Sequence, residues 1–521
     1  MHGIKNAWQD IIFCDPTRGL FGALCADILH CLQHGLFVYA HQELFSSKQA
    51  KSNKKQTLND SEDLLQTDFG NKNVFSKLYN KRFENLASKY GYYLSHQSDR
   101  DLPRTHLYSN YTTTTRKTAN EMSGVLLVIL IIFMTNEGET KLDQAMKDIQ
   151  ISKFIHLLEL LLMLENFCLS AEHRVTDIKK FKKFIPFFLN TYKETLNRQQ
   201  GNGCKLIKFH LLNHFGDDML RFGSMLNYDT EIGESHHKSE AKHPAKNTQR
   251  RKAEFEFQTA TRQIENLAID VGIRNIQNNS KIEASKASQE RNQNKWFRYM
   301  FNEERGLHYR KTKKNCNWKD KIFQSQLIEI CKEVTQKQYL EGDLNFFSLH
   351  KRDNSIFRAD PNFKPREPWY DWVQIQWADE IIPGKLLLFW NISKDQFNKP
   401  FRIGTSLISN PGNYVFLYSL KTASLMEPAH LTSSLLKYGS LEVATDHSPI
   451  INIIEVDCIN STISGIPYKT EDNIVNAIEW IFLQPKNEWY KIFIDIIDNT
   501  VSTYATQNEN MTINNKRKKK K

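Results

Sequence analysis

Two short motifs pair a carboxylate with an imidazole three residues later, although the motifs lie far apart in the chain. Asp27 and His30 form Asp-x-x-His. Glu234 and His237 form Glu-x-x-His. Positions i and i+3 share one face of a helix, so each carboxylate is expected to project beside its imidazole. Two carboxylates from distant segments suit Mg²⁺, which prefers oxygen ligands and keeps several waters.

A magnesium pair at such a site would serve phosphodiester chemistry. Two ions can activate an attacking water or 3′-hydroxyl and stabilise the departing oxygen. The motifs therefore predict Asp27 and Glu234 as metal ligands. His30 and His237 would orient these carboxylates or contact the scissile phosphate. Taken alone, Asp-x-x-His also fits a simpler interpretation, in which Asp27 caps a helix and His30 packs beside it.

A histidine pair between these motifs is a second candidate. His210 and His214 are four residues apart and could bind zinc from one turn of a helix, although the sequence shows no third ligand. The alternative is that both are ordinary helix residues, because short motifs often match by chance. Asp217 and Asp218 follow directly and are expected on a solvated helix face.

A basic run follows the Glu234 motif and is predicted to contact DNA phosphates. Its basic residues are Lys242, Lys246, Arg250, Arg251 and Lys252. A later segment, residues 296–314, interleaves aromatic residues with Arg and Lys, which is typical of nucleic-acid contacts. For either segment alone, a charged helix surface is the alternative interpretation.

Composition indicates a globular protein with a basic end. The chain has 521 residues, of which 40% are hydrophobic and 25% are charged. Its net charge is +11, and six of these positive charges lie in "KRKKKK", residues 516–521, which leaves +5 for the rest. This tail is either a solvated end or a nuclear-import signal and phosphate contact. The second interpretation is favoured and predicts a nuclear location.

Cysteine usage and hydropathy exclude several classes of protein. The eight cysteines form no Cys-x-x-Cys pair, which argues against a secreted disulfide framework and against a zinc finger. The most apolar run, Gly124 to Met134, is too short to span a bilayer and predicts a buried helix. A reducing, intracellular compartment and no membrane partner are therefore expected.

Residue patterning changes from helical to strand-like along the chain, which predicts an α+β fold. After Asp27, apolar residues recur every three or four positions on one face: Ile28, Leu29, Leu32, Leu36, Tyr39 and Ala40. Residues 153–169 are apolar nearly all round and predict a central helix, and residues 205–223 predict an amphipathic helix ending at Gly223. After about residue 350, short runs rich in β-branched and aromatic residues predict a compact sheet or small barrel.

Two segments resemble parts of CACTA-type transposases, especially the Plavaka-like branch. "GALCADILHCLQHGLFVYA" resembles the block around the second catalytic Asp, which reads roughly Pro/Ala-x-Asp-x-Leu-His before a Gly-Leu helix. "KFHLLNHFGDDMLRFGSMLNYDTEIGESHHKSEAKHPAKNT" resembles the helix bearing the catalytic Glu, where Lys-Phe-His, Phe-Gly, Asn-Tyr-Asn-Thr-Glu and Glu-x-x-His occur in order. The match places Asp27 and His30 in the first block, and Glu234 and His237 in the second.

This resemblance covers most of residues 1–270 and implies both a fold and a departure from it. It implies a mainly helical first half around a partial RNase H-like core, with a helical insertion at about residues 45–200. The first catalytic Asp of the family lies well upstream of its Asp-x-x-His block, whereas only 26 residues precede Asp27. The resemblance therefore implies a chain truncated at its N-terminus, which lacks that Asp and would bind Mg²⁺ poorly.

The expected organisation has four parts. These are a transposase-like region (1–270), a linker and helical connector (271–350), a β-rich accessory domain (351–500) and a disordered basic tail (501–521). The expected function is that of a transposon-derived, DDE transposase-like protein that binds DNA and descends from a Mg²⁺-dependent strand-cleaving and strand-transferring enzyme. The alternative is a non-catalytic nuclear protein that interacts with DNA or chromatin. DNA is the expected partner, and the sequence leaves a homo-oligomer open.

Overall fold

The computed structural model shows a mixed helix-and-sheet protein. It describes residues 25–45, 77–95, 102–107, 109–114, 117–138, 151–196, 204, 206–230, 243–246, 248, 254–283, 306–307, 330, 345–352, 355–364, 367–404, 406–420, 433–445, 449–468 and 478–518. Every described strand lies at or after Gly306, and the described elements before it are helices. The predicted α+β class is therefore confirmed. The described residues before Gly306 include no strand that could belong to an RNase H-like core, so that core stays a prediction.

The first half contains a π-helix followed by a series of α-helices. The π-helix, Leu29–Phe37, runs directly into α1, Val38–Phe45. The helices that follow are α2 (Lys77–Ser95), α3 (Ala119–Met134), α4 (Ile151–Cys168), α5 (Val175–Leu196), α6 (Ile207–Leu212), α7 (Phe215–Phe222), α8 (His243–Lys246) and α9 (Phe255–Glu283). A 3₁₀ turn, Met225–Tyr228, follows α7.

Helices α3 and α4 form the centre of the helical half. Thr118 and Glu121 form a capping box at the start of α3, which satisfies backbone N–H groups that have no partner within the helix. All residues from Val125 to Met134 are buried, as predicted for the most apolar run. Helix α4 is also apolar nearly all round and packs against α3 and α5. Its predicted central position is confirmed.

His41, on α1, links the helical half to the loop that precedes α3. Its Nε2 atom donates to the carbonyl oxygen of Tyr111 at 2.7 Å, and its side chain is buried. Burial lowers the pKa of His41 to about 4, from an ordinary value of 6.5. Between these values the unfolded chain binds a proton that the folded chain excludes. Stability therefore falls as the pH falls through this window.

Acid sensitivity is the expected consequence of this neutral, buried histidine. Lowering the pH from about 7.5 to about 5.5 is expected to cost about 1.4 kcal/mol through His41 alone. His41→Gln keeps an N–H donor for Tyr111 and removes the titration, so its stability should decline less over that range. Urea unfolding at each pH measures the difference. An equal decline in the two proteins would contradict the assignment.

The β-rich half consists of fourteen described strands and a final helix. The strands are β1 (Gly306–Leu307), β2 (Asn345–Phe347), β3 (Leu349–Arg352), β4 (Ser355–Lys364), β5 (Glu367–Tyr370), β6 (Trp372–Trp377), β7 (Glu380–Ile392), β8 (Phe401–Ile403), β9 (Ser406–Ile408), β10 (Gly412–Ser419), β11 (Leu436–Ser440), β12 (Ile451–Glu455), β13 (Ile459–Pro467) and β14 (Glu479–Leu483). The last helix is α10, Lys486–Lys518. Strands were predicted here from the aromatic and β-branched runs, and the antiparallel sheets confirm them.

The largest sheet is antiparallel and buried on both faces at its centre. Its strand order is β11-β14-β13-β6-β7-β10-β12, and β2 also pairs with β7. Central strand β7 is buried from Ile382 to Trp390, because Phe389 packs into one apolar cluster and Trp390 into another. Trp372, on β6, is buried, and its strand lies between β13 and β7.

The helical half and the β-rich half share one hydrophobic core. Helix α10 packs against α4 and α5 through Trp489, Phe493 and Ile497. Leu436 on β11 and Ile481 on β14 belong to the same apolar cluster. Helix α10 continues to Lys518, into the segment for which the sequence predicts a disordered tail. The C-terminal strands are thus fastened to the first-half helices by apolar packing.

The chain divides into two compact units. The larger contains the described residues of Met1–Tyr228, Leu307–His350 and Phe357–Lys521. The smaller contains those of Asp229–Gly306 and Lys351–Ile356, where α8 packs against α9. Within the part of the chain that the structure describes, no helix combines the length and the apolar character needed to cross a membrane.

Candidate functional site

Asp27 and His30 contact each other as their spacing predicts. The Nδ1 atom of His30 lies 2.5 Å from Oδ2 of Asp27, and the same oxygen accepts from the backbone N–H of His30 at 3.1 Å. The Asp27 side chain is 15% exposed, whereas that of His30 is 54% exposed. A carboxylate bound to Nδ1 orients the ring and fixes its tautomer. An imidazole held in this way can exchange a proton through Nε2.

The second hydrogen bond confirms one part of the simpler interpretation, in which Asp27 caps a helix, whereas His30 is exposed and not packed. Oδ2 of Asp27 accepts from a backbone N–H three residues later, which is the contact of an N-cap side chain. The backbone carbonyl of Asp27 accepts from Cys31 N–H at 3.0 Å. Asp27 therefore starts the helix and orients His30 with one oxygen atom.

The helix that follows is a π-helix, where the sequence predicted an ordinary amphipathic helix. Its apolar face is buried as expected, with Leu32 and Leu36 fully enclosed. Two hydrogen bonds join this helix to residues of α4 and α5. Tyr192 Oη donates to the Leu36 carbonyl at 2.8 Å, and Gln33 Nε2 donates to Glu165 at 2.6 Å. π-Helical turns are often found at functional sites, where they re-aim side chains.

Lys208, on α6, fixes the outer side of the π-helix. Its Nζ atom donates to the His34 carbonyl at 2.8 Å and lies 5.7 Å from the centre of the Tyr39 ring. Gly35 permits this approach, because a Cβ atom there would lie 2.8 Å from the His30 carbonyl oxygen and 3.0 Å from Lys208 Cδ. Both residues belong to features that carry the family resemblance, Lys-Phe-His and Gly-Leu, but the sequence did not predict that they meet.

Asp218 fastens the start of the π-helix to α7. Its Oδ2 atom accepts from Ala26 N–H at 3.0 Å, and its side chain is buried. The prediction that Asp218 lies on a solvated face is therefore wrong. Asp218 follows Phe215 by three residues and so shares its buried face, which is a signal in the sequence that was not used. Asp217, in contrast, is partly exposed and pairs with Lys182 at 2.6 Å.

This junction also changes the proton affinities of neighbouring groups. Burial, with the nearby Asp218 carboxylate, raises the pKa of the Cys25 thiol. Burial and the Asp27 carboxylate raise the pKa of the Cys31 thiol to about 11. Both thiols therefore stay protonated at neutral pH and are poor nucleophiles. Burial lowers the pKa of Lys208.

The predicted single helix over residues 205–223 is two helices. The break falls at Asn213 and His214, where the Asn213 side chain donates to the carbonyls of Phe209 and His210 at 3.3 and 3.1 Å. A side chain that bonds the backbone in this way competes with helical hydrogen bonds. The predicted glycine end is confirmed, since Gly223 has φ +83° and donates to Met219.

Of the remaining predicted site residues, only Lys246 is among the residues that the structure describes. Glu234 and His237 lie outside the described residues, and so do Lys242, Arg250, Arg251 and Lys252. Lys246 is described and lies exposed at the end of α8. The pairing of Asp27 with Glu234 therefore stays a prediction.

The described residues do not by themselves form a magnesium site. They contain no group of three or more His, Cys, Asp or Glu side chains placed to hold a metal ion. Asp27 is the only described member of the predicted ligand pair, and its Oδ2 atom already accepts two hydrogen bonds from His30. A Mg²⁺ site usually needs at least one or two carboxylates together with substrate oxygens and water.

Comparison of the chain with models of protein families, with curated proteins and with solved structures found no match in any of the three. The function proposed below therefore depends on this chain's own residues and on the resemblance of its two motif-bearing segments.

Proposed function

We propose that this chain is a transposon-derived, transposase-like protein that binds DNA. Its Asp27 and Glu234 would be what remains of a site for Mg²⁺-dependent strand cleavage and transfer. One observation carries the proposal. The segment around Asp27 and residues 208–222 are packed together in the fold. The first resembles one block of the transposase family, and the second is part of the segment 208–248, which resembles another block. Lys208 to His34 and Ala26 to Asp218 are the hydrogen bonds that join the two segments.

This contact matters because the two segments are far apart in sequence. Ala26 and Asp218 are separated by 192 positions. A coincidental match of two short motifs gives no reason for their segments to meet. A shared site does give a reason for the two segments to meet, because a phosphodiester-cleaving centre needs groups from distant segments in one place. The junction of the π-helix, α6 and α7 is where such a centre would be assembled.

Charge supports DNA as the ligand. The chain has a net charge of +11, and a run of five Lys and Arg residues follows the Glu234 motif directly. Phosphate contacts by Lys and Arg supply most non-specific affinity for DNA, because each contact releases condensed counterions. Lys246, exposed on α8, is the described member of this run. The basic residues 516–521 support a nuclear location within the same proposal.

DNA binding is expected to depend on the basic run and on salt. Alanine at Lys242, Lys246, Arg250, Arg251 and Lys252 should weaken binding of a duplex by at least about tenfold near 0.1 M salt, and should make its salt dependence shallower. Fluorescence anisotropy of a labelled duplex, read over a salt series, measures both. The matched control replaces five exposed basic residues of the larger unit, which are Lys153, Arg174, Lys179, Lys183 and Lys193.

The control and a cleavage assay separate the possible outcomes. Equal losses in both variants would mean that net charge, not the basic run, determines affinity. No binding by the unaltered protein would sink the DNA proposal. If DNA is bound, nicking of the duplex is then measured with and without Mg²⁺ in the unaltered protein, Asp27→Asn and Glu234→Gln. Cleavage lost in both variants supports a working site, whereas binding without cleavage favours the non-catalytic DNA or chromatin interaction protein.

A further inference from the structure

We propose that His210 and His214 together bind one divalent transition-metal ion of the Zn²⁺ class through their Nε2 atoms. The two residues lie one helical turn apart at the junction of α6 and α7. Their Nε2 atoms are 3.2 Å apart. His210 and His214 lie in the segment whose packing supports the proposed function, but the metal site involves neither Asp27 nor the basic run, so its test does not depend on DNA binding.

The separation of the two nitrogen atoms matches a shared metal ion. Two Zn–N bonds of about 2.0–2.1 Å at a tetrahedral angle place their nitrogen atoms about 3.3 Å apart. The observed 3.2 Å agrees with that spacing. The ring centroids are 4.9 Å apart and the ring planes are inclined by 76°, so the rings meet at an edge and do not stack face to face. The two Nε2 atoms, which are the atoms that usually ligate zinc, thus lie at the separation that one ion would bridge.

The backbone that carries the pair is held in position. Phe209, Leu212 and Phe215 are buried on the opposite side of this junction. The Asn213 side chain donates to the His210 carbonyl and ties the connecting turn to α6. His210 is exposed and His214 is half-buried, so an ion can reach them from solvent. A ligand pair on anchored backbone loses little conformational freedom when it binds a metal.

A proton shared between the rings is the competing explanation for the short distance. An N–H···N hydrogen bond also fits 3.2 Å. The two explanations differ in what they predict, since a proton-sharing pair has no particular affinity for metal. Two protein ligands also leave other coordination positions open to water or to a ligand atom from outside, as in zinc sites that take part in binding or chemistry.

Isothermal titration of the full chain with Zn²⁺ tests the site. The unaltered protein is expected to bind one Zn²⁺ ion per chain at this site. His210→Ala and His214→Ala should each weaken the affinity for that ion by at least about tenfold. The double variant should lose no more than either single variant, because chelation needs both rings. The chain has 17 histidines, so His156→Ala, at an exposed position on α4, serves as the matched control and should bind as the unaltered protein does.

Three results would overturn the proposal. The first is that the unaltered protein binds no Zn²⁺ ion with this affinity. The second is that the single variants bind Zn²⁺ as tightly as the unaltered protein. The third is that His156→Ala loses as much Zn²⁺ affinity as the His210 and His214 variants. Circular dichroism checks that each variant is folded. His210→Gln and His214→Gln replace the alanine variants if either of those fails to fold, since glutamine keeps a polar group and is a poor zinc ligand.

Discussion

Replacing Glu159 by alanine is expected to destabilise the protein by about 4 kcal/mol, because several donors would lose one buried acceptor. Oε1 of this α4 residue accepts from the Ser433 hydroxyl, from Ser434 N–H at 3.0 Å and from Leu435 N–H at 3.1 Å. Glu159 is 2% exposed. The carboxylate therefore holds the start of β11 against the central helix of the other half.

Urea unfolding of three variants separates the roles of this carboxylate. Glu159→Gln keeps one acceptor oxygen and should lose less stability than Glu159→Ala. Glu194→Ala, at an exposed position on α5, should stay within about 0.5 kcal/mol of the unaltered protein. A Glu159→Ala protein as stable as the Glu194→Ala protein would show that the three hydrogen bonds contribute nothing net. Since both halves share one core, a single unfolding transition is expected.

Local composition was sufficient to predict the elements that are apolar along their whole length. Residues 124–134 and 153–169 read as buried helices, and α3 and α4 are buried accordingly. The aromatic and β-branched runs after residue 350 likewise read as strands, because such side chains suit a sheet buried on both faces. These elements were predictable because hydrophobic burial is set by local composition.

Contacts between distant segments were not predictable in the same way. Glu159 and Ser433 are separated by 274 positions, and Ala26 and Asp218 by 192. Acidic residues are normally expected in water, and the distant donors that stabilise a buried carboxylate leave no local signature, even where periodicity places the residue on a buried face, as it does for Asp218. The π-helix was missed for a related reason. Its apolar residues recur every three or four positions as in an α-helix, and the wider turn is stabilised by Tyr192 and Lys208 from other helices.

In the candidate site, too, the local contact was predictable from the sequence and the long-range contact was not. The spacing of Asp27 and His30 was enough to predict their contact, because both residues belong to one turn of chain. The partnership of Asp27 with Glu234 depends on long-range folding and stays a prediction. The contact between the Asp27 segment and residues 208–222 is therefore the more informative observation, since nothing local in the Asp27 motif requires it.

At Lys385, in contrast to Glu159, replacing the buried charged side chain is expected to stabilise the protein. This residue lies on β7 opposite Trp372, and its Nζ atom is 4.8 Å from the centre of the Trp480 ring. Burial lowers the pKa of Lys385 to about 8, from an ordinary value of 10.5. A shift of this size corresponds to roughly 3 kcal/mol, and the contact with the Trp480 ring offsets about 1 kcal/mol of it.

Lys385→Met is therefore expected to raise the free energy of unfolding by about 2 kcal/mol at neutral pH. Below about pH 8 the folded protein carries this buried charge, which is unfavourable. Between about pH 8 and 10.5 the folded lysine is neutral while the unfolded one still binds a proton. The free energy of unfolding therefore rises with pH over this interval, and the destabilisation caused by Lys385 disappears. The advantage of the methionine variant should accordingly shrink over that interval.

Urea unfolding at about pH 7 and at about pH 10 gives both quantities for each protein. Lys394→Met, at an exposed position in the turn after β7, is the matched control and should change stability little at either pH. A methionine variant that is less stable than the unaltered protein at neutral pH would mean that the aromatic rings stabilise the ammonium group more than burial disfavours it. An advantage that persists unchanged at the higher pH would place the gain in apolar packing and not in the removed charge.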